Sequence, residues 1–152
     1  MIKRVGQPSS SVSAAEWRNL VDTVEVELTS EDPDYPIDGA LVPDRANRWR
    51  AAAPGPQSIT LIWSDPIAVR RIRVVFEEQS VPRTQEFVLR AWTRSGMRDI
   101  VRQQFTFSPP GTTVEREEYT TNLDGVTRLE LAIVPAIDQV DAIATLSQWR
   151  IE

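Results

Sequence analysis

The chain has 152 residues, 41% hydrophobic and 26% charged, and its 17 basic and 22 acidic side chains give a net charge of −5. That is the size and usage of one globular domain with enough chain to bury a core of its own. Cysteine and histidine are absent and Lys3 is the only lysine beside sixteen arginines, which excludes thiol nucleophiles, Ser–His and Cys–His pairs, Cys/His zinc centres and haem or iron–sulfur ligation.

A Schiff-base or P-loop lysine is confined to Lys3, which has no Gly-rich loop before it. Any catalysis is left to carboxylates, Arg, Tyr, Ser or a hard metal ion. The mixed, mildly acidic charge argues against nucleic acid as a partner. Residues 1–13 carry two basic side chains with no apolar segment after them, unlike a secretory signal. No apolar run nears the ~20 residues of a membrane span. The expectation is a cytoplasmic protein with no membrane span.

In chain order, residues 7–13 form a polar lead-in. Residues 14–20 are expected to make one or two helical turns, with Ser13 as N-cap and Glu16 closing a capping box. Residues 1–20 are thus an N-terminal extension, and 21–152 the domain. From there the pattern alternates with period two, broken by Pro, Gly, Asp and Asn. Val24, Val26 and Leu28 mark a half-buried strand. Residues 30–56 are long and irregular, rich in Pro and Asp, with a short strand expected at 49–53. Ile59, Leu61 and Trp63 share one face of the next strand, with Ile62 as the exception. Asp65-Pro66 reads as a turn. Ile72, Val74 and Phe76 face in on the following strand.

Further on, Phe87, Leu89 and Ala91 lie opposite Glu86, Arg90 and Trp92. Arg94-Ser95-Gly96-Met97 is a hairpin signal. Val101, Phe105 and Phe107 form the inner face of a strand over 99–107. Residues 113–121 are so charged that an edge strand is expected. Leu129, Leu131 and Ile133, then Leu146, Trp149 and Ile151, complete the core. Eight or nine short strands with almost no helix predict an all-β, antiparallel β-sandwich or jelly roll.

Several motifs in order resemble the discoidin, or coagulation-factor type C, family of galactose-binding-like jelly rolls. They are Ile37-Asp38-Gly39-Ala40, Asn47-Arg48-Trp49, Gln57-Ser58-Ile59-Thr60-Leu61, the apolar strand of Ile72 and Val74 after Pro66-Ile67, the strand from Phe87 to Ser95, and the closing Trp149-Arg150-Ile151-Glu152. The resemblance covers residues 24–152. The chain departs from it in an apparent insertion at 41–46, in lacking the cysteine pair of many members, and in lacking the histidine that often helps bind galactose.

The resemblance implies a non-catalytic binding module for carbohydrate, with a protein–protein interaction module of an intracellular assembly as the alternative. It also implies a structural calcium held by Asp38, by Asp44 or carbonyls of the 41–47 loop, and by Glu152, since calcium takes six to eight oxygens. A ligand platform is expected at Tyr35, with Trp49 as a buried plug. If the segment is extended, Arg48 and Arg50 point away from that indole. Arg83 and Gln85 are further candidate ligand contacts. The acidic run Glu31-Asp32-Pro33-Asp34 reads as a solvated loop rather than a catalytic pair. Arginines 70, 71, 73, 90, 94, 98 and 102 read as a sheet face paired with Glu77, Glu86, Glu115, Glu117 and Glu130.

Overall fold

The computed structural model describes residues 17–43 and 47–152. In chain order the elements are β1 (Glu25–Leu28), α1 (Asp38–Leu41), β2 (Trp49–Arg50), β3 (Gln57–Glu77), β4 (Arg83–Thr93), β5 (Gly96–Phe107), β6 (Val114–Val134), β7 (Thr145–Leu146) and β8 (Gln148–Ile151). All strand pairs are antiparallel. The alternating rows explain why: Ile59 and Leu61, Phe87 and Leu89, and Leu129 and Leu131 are all fully buried.

β3 and β6 are long and run together through both layers of the sandwich. In one layer the first half of β3 lies between β1 and the second half of β6, which in turn pairs with β4, and β4 with β5. In the other layer the second half of β3 lies between β8 and the first half of β6. Phe76 from one layer meets Phe87 from the other, with ring centroids 5.2 Å apart. The ribbon folds over where its register slips, between Ile62 and Arg71, because bulges bend and twist a strand. On β6 the fold falls at Gly125, whose φ of +66° suits a residue without Cβ.

The folded ribbon brings both its tips to one end. Gln57 pairs with Ile133 and Glu77 with Val114. Glu77 leads through the 78–82 loop to Arg83, whose Nη1 donates to the Pro135 carbonyl at 2.7 Å. Loops 29–37, 78–82 and 135–144 therefore gather at the tip end with residues 42–43 and 47–48, and the 94–95 turn lies at the fold.

Three sequence expectations change. Asp65-Pro66 does not end a strand; β3 continues through it. The expected N-terminal helix falls partly outside the described residues, at 13–16, and Trp17–Leu20 is not helical. Its Arg18 amide donates to the Ile151 carbonyl at 2.8 Å, and Leu20 is buried in the core. The irregular 30–56 stretch contains a one-turn helix, α1. The charged first half of β6 is an edge as expected, paired on one side only, yet its Glu115 is buried.

Candidate functional site

Tyr35 is positioned by the turn before it. Pro33 sets the bend, the Asp34 amide donates to Asp32 Oδ1 at 2.9 Å, and the Tyr35 amide donates to the Asp32 carbonyl at 2.9 Å. Glu31 closes the loop by accepting from the Ile37 amide at 2.7 Å. The acidic run is thus occupied in holding its own loop. The Arg50 amide donates to the Tyr35 carbonyl at 3.1 Å, and the Asp32 amide to the Arg50 carbonyl at 2.9 Å, so this loop lies along β2.

β2 is extended, and its side chains alternate as expected. Trp49 is fully buried, with Nε1 donating to the Ser30 carbonyl at 3.2 Å. Arg48 and Arg50 are half-buried and turn outward. The Arg48 guanidinium lies 5.4 Å from the Tyr35 ring centroid, a cation–π distance. Gly39 lets the chain before Trp49 pass close to α1: a Cβ there would sit 3.0 Å from Asn47 and 3.1 Å from the Arg48 nitrogen. The glycine of the Asp-Gly motif therefore serves close packing of α1 on the strand.

Two adjoining hollows of about 330 Å³ each open at the tip end. Tyr35, Asn47, Arg48, Glu77, Gln148 and Arg150 line one of them. The other is lined by Arg48, Arg50, Glu77, Glu78 and Asp141 among others. Both volumes fall in the range of small-ligand sites. Glu77 is held by the Ser147 hydroxyl at 3.0 Å. A separate hollow at the fold end is lined by Trp63 and Asp65.

Sequence reasoning placed Tyr35, Arg48 and Arg50 together, and the structure does the same. It missed Glu77, Gln148 and Arg150, which only long-range pairing brings there. Arg83 is placed differently. It is almost fully buried, donating to Glu78 at 2.7 Å, Gln85 at 3.0 Å and the Pro135 carbonyl, with its guanidinium 4.8 Å from the Phe107 ring centroid. Burial pushes the Glu78 carboxyl up, but hydrogen bonds from Arg83, Ser80 and Val81 outweigh this and hold it low. Gln85 in turn donates to the buried Glu115 at 3.1 Å. Arg83 and Gln85 thus form an interior polar chain.

Five of the seven sheet-face arginines are paired, but of the expected glutamates only Glu86 and Glu130 are partners: Arg70 meets Asp124, Arg71 meets Glu118 and Glu152, Arg73 meets Glu118, Arg90 meets Asp99 and Glu130, and Arg102 meets Glu86. Such exposed pairs contribute little stability each.

Of the expected calcium set, Asp38 begins α1. The Glu152 carboxylate is held by Arg71 at 3.2 Å, and the Ala40 carbonyl of the α1 loop accepts from Arg150 Nη1 at 2.7 Å. Burial, and then the charge of Arg73, lower the affinity of Arg150 for its proton. Among the described residues no three acidic side chains gather, and Asp44 lies outside them. Melting curves after EDTA test the calcium: a rise with millimolar Ca²⁺ that Asp38→Ala abolishes would support an ion held by the folded form, and an unchanged curve would count against it.

No protein-family model matches the chain, and no curated protein matches it. Solved structures do. A family 32 carbohydrate-binding module of Clostridium perfringens NanJ, solved with galactose, superposes with a TM-score of 0.63 at 12% identity, over 88% of this chain and 96% of that one. A second Clostridium perfringens module, solved with GalNAc-β-1,3-galactose, gives 0.63 at 13%, over 88% and 97%. A third, from a family 31 glycoside hydrolase of the same organism, gives 0.60 at 13%, over 99% and 98%. The chain shares the β-sandwich jelly-roll fold of these modules.

Proposed function

We propose that the chain is a non-catalytic carbohydrate-binding module whose ligand seats on Tyr35. The observation that carries this reading is the Tyr35–Arg48 pair at the mouth of a hollow edged by Asn47, Glu77 and Gln148. An aromatic ring offers an apolar face to a pyranose, while the amides and the carboxylate can meet its hydroxyls. The neighbouring structures solved with sugars support it. A protein partner is the second reading. It rests on Val81, Ile137 and Val140, which are 46%, 51% and 89% exposed on the tip-end loops.

Titration calorimetry with simple sugars separates the two. Wild type is expected to bind, Tyr35→Ala to lose most of the affinity, and the melting temperature of the variant to stay put. If no sugar binds wild type at millimolar concentration, the interaction-module reading takes its place.

A further inference from the structure

The charges around Tyr35 say which class of sugar the site takes, granted that it takes one. Acids outnumber bases in the chain, and arginines of the sheet faces find them: Arg70, Arg71, Arg73, Arg90 and Arg102 each meet a carboxylate within 3.5 Å. At the tip end Arg83 is paired with Glu78. Among the described residues, Arg48, Arg50 and Arg150 form no ion pair.

Arg48 Nε is buried with no hydrogen-bond partner among the described residues, and its guanidinium lies 5.4 Å from the Tyr35 ring centroid. A buried donor left unmatched is disfavoured. Arg48 lines both hollows, with Arg50 in one and Arg150 in the other. Three acidic side chains line these hollows too. Glu78 is paired with Arg83, Glu77 accepts from the Ser147 hydroxyl, and Asp141 lines the hollow that Arg48 and Arg50 share.

We propose that the ligand is an acidic saccharide, its carboxylate or sulfate set against Arg48 with its sugar ring on Tyr35. A guanidinium suits either anion, since its planar fork of N–H groups matches two oxygens at once. Glu77 accepts from a hydroxyl of the same sugar. The reading depends on the carbohydrate function above and narrows it.

The test is calorimetric titration at low salt with galacturonate, glucuronate and galactose 6-sulfate, each against its neutral parent, with inorganic sulfate as the anion control. The acidic sugars are expected to bind about tenfold tighter than galactose or glucose, the difference shrinking at high salt. Arg48→Gln and Arg50→Gln should each reduce that difference, whatever either change does to neutral-sugar affinity. Melting curves of both variants guard against a folding defect, and Arg50→Gln serves if Arg48→Gln unfolds. The carboxylate and sulfate arms show which anion is preferred. Equal affinity for acidic and neutral sugars would overturn the acidic class and leave the carbohydrate reading standing. Binding of no sugar at all would overturn both. Inorganic sulfate binding as tightly as the acidic sugars would reduce the site to an anion pocket without a saccharide.

Discussion

Trp49→Ala should lower stability by about 3–5 kcal/mol, the usual cost of deleting a large aromatic from a core. The indole is fully buried and lies across from Leu146 on β7. Its Nε1 also satisfies the Ser30 carbonyl. Removing it leaves both a cavity and an acceptor without its donor. Because Trp49 joins the Tyr35 loop to β7, the site should loosen along with the fold. Urea denaturation checks this. A change within about 0.5 kcal/mol would mean that the indole is not the plug of this end. Tyr35→Ala, by contrast, should cost affinity and spare stability.

Glu115→Gln should reshape the pH dependence of folding. Glu115 lies on the inner face of β6, only 1% exposed. Burial above all, and then the neighbouring Glu117, push its carboxyl up to about 8, against the opposing pull of Gln85 and Arg83. Arg83 already has Glu78 as its counter-ion, so a neutral Glu115 leaves no charge unmatched there. An acid raised in the folded state keeps its proton where the unfolded chain has lost it. Stability from this group is therefore full below about 4.5 and lost as pH rises to about 8. Glutamine is permanently neutral and keeps the bond with Gln85 within reach. The variant should gain on the order of 2 kcal/mol over wild type above that range and show a flatter profile between. Denaturation at a series of pH values reads this directly. Parallel profiles would show that Glu115 titrates as an ordinary surface acid.

Much of the fold was legible because its signal is local. Ile59-Thr60-Leu61 and Phe87-Val88-Leu89 carry a period of two, which only an extended strand buries on one side. What failed was the corner. Asp65-Pro66 has the local chemistry of a turn, but the pairing of β3 with β6 carries the strand past it, and nothing near residue 65 encodes that partner. The helix α1 is too short to show a period. At the site, Tyr35, Arg48 and Arg50 stood close enough in sequence to be read together. Glu77, Gln148 and Arg150 did not, since they reach the hollow through β3 and β8. Arg83 was read as a ligand contact on the loop before Phe87; its burial depends on Glu78, Gln85 and Pro135, which the local sequence does not bring together.

The most direct test of the account is where a sugar lands. Amide chemical shifts followed by NMR during titration with galacturonate should move at Tyr35, over residues 47–50 and over residues 147–150, while Trp63 and Asp65 at the opposite end stay still. Shifts gathered on Trp63 and Asp65, or none at any concentration reached, would contradict the assignment of the tip end as the binding site.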